Sequence, residues 1–294
     1  ITTGDNNTAI GIQAGQKTTT QERNTIVGVS ALRYASGSAS YNTAIGYAAM
    51  GASDQESQAT VAVGYYALSG ATGANATVAV GHLAGRDTTT GDNNVYIGKS
   101  AAYLNTTQGN NVAIGGESMA VAGGNASTAV GYFAMNAASS QNSVALGAYA
   151  LRTGSNHYNV AVGMSAMTKV SGGAGGVAVG YQSGYHPTGN YNVWVGYNAG
   201  FGTAASAAGE NVGIGRESMM NVADGNYNVA VGAYTGKDLT TGDTNTLVGY
   251  AAGENVTTGG SNNAFGFDAL KSNTTGSNNT AIGNGALRSN DYSW

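Results

Sequence analysis

The sequence predicts an all-β chain wound as a parallel β-solenoid, on three observations. An apolar residue followed by glycine recurs 17 times, at spacings of 16–19 residues. Ahead of each such glycine, β-branched and small residues alternate with period 2, the pattern of a short strand. Glycine makes up 48 of the 294 residues, while proline occurs once, at Pro187. That ratio excludes collagen, which needs glycine at every third position and abundant proline. A period near 17 is too short for helical repeats of ~33 residues or more. It suits one coil made of two short strands and two turns.

The coils follow the glycines in order: Gly11, Gly28, Gly46, Gly64, Gly81, Gly98, Gly115, Gly131, Gly147, Gly163, Gly180, Gly196, Gly215, Gly232, Gly249, Gly266 and Gly283. About 17 coils fill residues 7–287, so residues 1–294 read as a single repeat domain with a terminal non-repeat segment at 288–294. The 19-residue step from Gly196 to Gly215 is expected to push 201–210 outward as a loop, because loops absorb insertions better than strand registers do. At ~4.8 Å per coil the stack would extend roughly 80 Å.

Aligned on the glycine, each column has its own chemistry. The residue just before it is always bulky and apolar, as in Val27, Ile45, Leu146 and Phe265. Three before it stand Thr or Val, with Asn263 as the exception, and two before it stands mostly Ala. Four before it, Asn fills 12 of 17 positions, either as a ladder of stacked side chains or as turn chemistry. Three after it every residue is small, and four after it come Leu, Met or Gly, with Ala102 once. Gly46, Gly64, Gly131, Gly147 and Gly232 are expected to be structural turn glycines, needing positive φ or close backbone approach. The β-branched columns are expected to face inward. So thin a roll needs a partner for its second face, and the two small-residue columns would let chains approach closely as a homotrimer.

Composition excludes several functions. Net charge is −4, and the 11 Lys and Arg are scattered singly, so no electrostatic footprint for nucleic acid exists. No apolar run approaches the ~20 residues of a membrane helix, so neither nucleic-acid binding nor membrane insertion is expected. There is no Cys. His82, His157 and His186 form no metal-ligand spacing, and Gly172–Gly176 lacks the aspartate of a calcium-binding repeat. Glu117 and Glu217 share a column six coils apart, roughly 29 Å, too far for a glycosidase pair at ~5–9.5 Å. Asp54 and Glu56 read as solvated charge. No catalytic, cofactor or metal site is expected, and the chain is read as not an enzyme.

Aromatic residues remain. Tyr65, Tyr66, Tyr132, Phe133, Tyr149, Trp194 and Tyr197 are candidate surface-recognition residues, able to stack on sugar rings or an apolar receptor patch. The same rings could instead stack on one another and fill gaps between chains. Trp194 and Tyr96 stand in the alanine column, which argues that this column is not a tightly closed interior, since overpacking is costly.

The motif Asn142-Ser143-Val144-Ala145-Leu146-Gly147, with Ala150 three residues on, resembles the head repeat of YadA-like trimeric autotransporter adhesins, and Asn111-Val112-Ala113-Ile114-Gly115 is similar. The longer form Asn42-Thr43-Ala44-Ile45-Gly46-Tyr47-Ala48-Ala49-Met50 looks like repeats of phage tail fibre proteins. The resemblance implies a homotrimer of left-handed parallel β-rolls, intertwined or side by side. It implies a structural and adhesive fibre segment in a virion tail fibre, joined to other tail components at its ends and attached to a cell-surface glycan or protein receptor. The head of an autotransporter adhesin on a bacterial cell surface is the alternative, and an ice-binding solenoid a third. Neither end shows an atypical cap, so the segment is expected to belong to a longer fibre. The resemblance suggests that 289–294 leads into a trimerising chaperone.

Overall fold

The structure is a computed structural model that describes residues 4–289 except 53–54, 122, 155–156, 171, 187 and 204–205. It is an all-β parallel solenoid of about 16 turns, with no helix among the described residues. The chain falls into two compact units, Ile1–Ser143 and Val144–Trp294. Asp54 and Pro187 lie outside the described residues, as do 204–205 and the last five residues. The described residues of 201–210 do not loop outward as expected: Ser206 and Ala208 are fully buried, and the N–H groups of Gly202, Thr203 and Ala208 donate to Met220 O, Val222 O and Ala223 O of the next coil, because small side chains let the longer coil stay in the stack.

In the first unit, eight three-residue strands stack in parallel from Thr8–Ile10 to Thr128–Val130, each in register with the next. The second unit stacks nine, from Val144–Leu146 to Thr280–Ile282. Each strand ends at a corner glycine. Gly46 has φ +130° and Gly64 has φ +140°. A methyl group on Gly64 would overlap the carbonyl oxygen of Gly81 in the next coil. The corner therefore demands glycine twice over, through its φ and through the close approach of backbones.

Two full strands per coil do not form. Beyond the corner, alternate residues enter the left-handed region, as at Tyr66 (φ 53°) and Leu68 (φ 48°). A chain that turns at every second residue has no room for an extended run, so two-residue strands occur only at Ala137–Ala138 and Thr153–Gly154 among the described residues. A non-glycine residue in this region costs about 1–3 kcal/mol and persists only when its surroundings over-determine it. Hydrogen bonds to both neighbouring coils do so: Tyr66 N–H donates back to Tyr47 O at 2.9 Å and Leu68 N–H forward to Ala84 O at 3.0 Å.

The core reverses the expected facing of the strands. The alanine column is inside, with Ala44, Ala62, Ala79, Ala113, Ala161 and Ala230 fully buried. The small residues three past the glycine, such as Ala67, Ser118 and Ser218, are buried as well. Leu or Met four past it, such as Leu68 and Met119, closes the core from the opposite wall. The β-branched columns lie outside or at the margin. Small residues thus serve the interior of one chain; they are not the close-approach surface between chains that the sequence suggested.

Trp194 and Tyr96 require the same correction. Trp194 is 1 % exposed and Tyr96 0 %. The alanine column is a tightly closed interior, and the two large rings fit because glycines give way around them. A methyl group on Gly184 would lie 2.7 Å from Trp194 Cδ1, and one on Gly213 2.6 Å from Trp194 Cε3. One on Gly85 would lie 2.6 Å from Tyr96 Cδ2. The buried Tyr96 hydroxyl accepts a hydrogen bond from Asn105 Nδ2, and burial pushes its pKa above the usual tyrosine value.

The asparagine column is a buried ladder. Along Asn192, Asn211, Asn228, Asn245, Asn262 and Asn279, each backbone N–H donates to the preceding Oδ1 at 2.8–3.0 Å. The Nδ2 groups of Asn211, Asn228, Asn245 and Asn262 donate to that same oxygen and to a loop carbonyl; Asn245 Nδ2 lies 3.0 Å from Asn228 Oδ1 and 3.0 Å from Gly259 O. Threonine hydroxyls of the loops are also committed to the stack: Thr240 Oγ1 donates to Thr257 O and Thr257 Oγ1 to Thr274 O.

Candidate functional site

Turning alanine inward turns the bulky residue before each glycine outward. In the first unit Ile45, Val80 and Ile97 are among the exposed large apolar side chains. In the second, Leu146, Val179, Ile214 and Phe265 occupy the same place. Strand register puts these side chains in file, one per coil, with Val80 paired to Ile97 and Val248 to Phe265. The companion column three before the glycine, such as Val61, Val95 and Val212, is half-buried on the same face. Monomeric soluble proteins rarely leave so continuous an apolar stripe to water.

Just past the corner, aromatic rings stand beside this stripe and stack along the coils. Tyr65, 48 % exposed, lies between Tyr47 at 5.4 Å and His82 at 5.2 Å, both stacked on it. Tyr66 meets Tyr65 edge-on at 4.6 Å. Tyr132 meets Phe133 edge-on at 4.4 Å. Tyr197 stacks on Tyr181 at 5.3 Å, and Tyr250 on Phe267 at 5.1 Å. Tyr149 is half-buried, with the Arg152 guanidinium 5.6 Å from its ring centre. The rings therefore engage one another along the stack, while Tyr65, Tyr132 and Tyr197 stay about half exposed.

Trp194 is not part of this surface. As a core residue it reaches no external ligand, which corrects its place among the recognition candidates. The turn glycines sit at corners of the coils, with φ +130° at Gly46, +140° at Gly64, +136° at Gly131, +134° at Gly147 and +136° at Gly232. They shape the surface and do not contact a ligand through side chains.

The titratable residues are engaged locally. Glu217 receives a salt bridge from Lys237 at 3.1 Å. His186 packs edge-on against Tyr185 at 4.7 Å, and burial, with a smaller effect of Lys169, lowers its pKa. Among the described residues no three His, Asp or Glu side chains gather as a metal site.

Sequence reasoning missed the outward apolar stripe. The signal was present in the pairing of the alanine column with the Leu, Met or Gly column: large residues in one coincide with glycine in the other, as Ile26 does with Gly15 and Tyr96 with Gly85. Only columns that share one interior trade volume in this way. No protein-family model and no curated protein matches this chain.

Proposed function

We propose that this chain is a structural and adhesive fibre segment that assembles as a homotrimer of left-handed parallel β-rolls, in a phage or phage-like tail fibre. The observation that carries the reading is the outward stripe of Val, Ile, Leu and Phe, one side chain per coil, exposed in some coils and half-buried in the others. Copies of the same chain are its best-matched occupants. Only a partner with the same coil repeat can meet such a file rung for rung over many coils, and symmetric self-association supplies that match without a second gene product. The small-residue columns play no part in this association, since they are consumed inside each roll. Stacked, half-exposed tyrosines beside the stripe suit a surface that attaches to a host. The head of a trimeric adhesin on a bacterial surface would use the same geometry and is favoured by the motif at 142–147. The committed threonine hydroxyls give no support to ice binding.

The reading is tested by light scattering and native mass spectrometry of the chain and of Ile214→Asp and Val179→Asp. A trimer for the parent chain and a folded, smaller species for the variants is the expected result. A stable, folded monomer of the parent chain at micromolar concentration would sink the proposal.

A further inference from the structure

We propose that a cleft in the second unit, between Tyr191 and Tyr227, binds a neutral pyranose ring. It deepens the attachment part of the reading above and rests on that reading only for the source of the sugar. The cleft encloses about 230 Å³ and is lined by Asn190, Tyr191, Gly209, Glu210, Asn226 and Tyr227, among others. This is below the ~300–1,000 Å³ of pockets for drug-sized ligands, a scale for one ring.

The repeat explains the cleft. Tyr191, Glu210 and Tyr227 each stand five residues before a corner glycine in three successive coils. All three lie in the left-handed region, at φ 59°, 57° and 58°. Their side chains project from the same column, with the two tyrosines two coils apart, roughly 9–10 Å. Both rings are open to solvent, at 64 % and 58 % exposed. The preceding column reads Asn190, Gly209, Asn226, so the middle rung has no side chain to fill the floor. The coil that contributes Gly209 and Glu210 is the one that spans 19 residues.

The chemistry of the walls selects the ligand. Tyrosine faces carry partial negative charge and accept the C–H face of a sugar ring as an apolar, weakly positive surface. Glu210 can only accept hydrogen bonds, and among the described residues no ion pair engages it. Asn226 is held in place, its Oδ1 accepting from Gly209 N–H at 2.9 Å and its Nδ2 donating to Asp224 O at 2.6 Å. Asn190 is different: its Oδ1 accepts from Ala174 N–H at 2.8 Å, while no hydrogen bond engages its Nδ2 among the described residues. One open acceptor and one open donor beside two exposed tyrosine rings match vicinal hydroxyls, each of which donates and accepts. No Lys or Arg lines the cleft, and Asp224 Oδ1 lies close behind it, 3.1 Å from Ala207 N. Uronates, sialate and phosphates are therefore repelled. A quaternary ammonium would use the aromatic faces and the carboxylate but would meet the Asn190 donor head-on.

The test is saturation-transfer NMR and titration of the intact chain with methyl β-D-glucopyranoside, methyl β-D-galactopyranoside, methyl α-D-mannopyranoside and N-acetylglucosamine, with choline chloride as the cationic arm. At least one sugar is expected to bind in the millimolar range. Tyr191→Ala and Tyr227→Ala should each weaken it tenfold or more, and Glu210→Gln several-fold. Tyr41→Ala, at a comparably exposed ring of the first unit, should leave it unchanged. The exposed positions of these side chains keep the variants folded, which circular dichroism checks. Binding of none of the four sugars, equal affinity in the tyrosine variants, or binding of choline alone would overturn the proposal. Oligomeric state is read in parallel. A monomer that binds sugar defeats the fibre reading and leaves the cleft standing; a trimer that binds none does the reverse.

Discussion

The indole of Trp194 occupies the space that any side chain on Gly200 would need; even a methyl group there would overlap the ring. The same exchange recurs wherever the alanine column holds a large residue. A methyl group on Gly15 would lie 2.9 Å from Ile26 Cδ1, and methyl groups on Gly236 and Gly253 would lie 2.9 Å from Leu247 carbons. Each coil therefore holds a fixed volume of side chain, divided between two walls.

That exchange predicts a rescue. Tyr96→Ala should cost about 3–5 kcal/mol through lost contacts and a cavity, and Gly85→Leu alone about 1–3 kcal/mol through overpacking. The double variant should recover a large part of the sum, because Leu68 shows that leucine accepts this backbone position at φ 48°. Urea unfolding of the four proteins checks it. Strictly additive losses would show that the two sites do not share a volume.

The asparagine ladder predicts a position-specific cost. Removing Asn245 leaves Gly259 O without its side-chain donor, and Asn262 N–H, 2.9 Å from Asn245 Oδ1, without an acceptor. Unsatisfied buried groups cost about 1–3 kcal/mol each, so Asn245→Ala should lose more than that for the pair. Asn221→Ala removes only an exposed bond to Asp238 and should change stability by less than about 0.5 kcal/mol. Similar melting temperatures for the two variants would count against the ladder as a structural element.

The corner glycines predict a contrast between two Gly→Ala changes. Gly64→Ala places a β-carbon at φ +140° and against the Gly81 carbonyl. It should cost more than the ~1–3 kcal/mol of the backbone conformation alone. Gly73→Ala meets only Thr90 Cγ2, at 3.8 Å, and should be close to neutral. Thermal unfolding of the two distinguishes a conformational demand from a compositional habit.

A lysine ladder in the second unit predicts a response to alkali. Hydrogen bonding to Glu217 raises the pKa of Lys237. Bonding to Glu254 first, then Asp268, raises that of Lys271. A lysine whose pKa rises on folding contributes stability that is fully present below its unfolded value, about 10.4, and lost as pH climbs through the folded value. As pH rises above about 10 the parent chain should lose more stability than the Lys237→Met/Lys271→Met variant. Tyrosine ionisation is common to both proteins and cancels. Parallel stability curves would show that these pairs contribute nothing.

Repeat length, strand position and the corner were legible in the chain itself. Val-Ala-Val-Gly and Thr-Ala-Ile-Gly can be extended only up to the glycine, and the glycine alone turns there at φ near +130°. The asparagine column was legible as important, but its choice between ladder and turn waited for register, since stacking needs the next coil in place. The cleft at Tyr191 and Tyr227 was hidden because its three rungs are far apart in sequence and one of them is a glutamate.

The facing of each strand was settled only in three dimensions. Period-2 alternation separates Val61 and Val63 from Ala62, yet it is the same pattern whichever side is inside. Space across the coil decides. Leu68 or Met119 reaches in from the opposite wall, and only alanine, or glycine opposite a larger ring, leaves room for it. The β-branched side chains are driven outward by this shortage of interior volume, and so a chain composed like a core presents an apolar stripe to its surroundings.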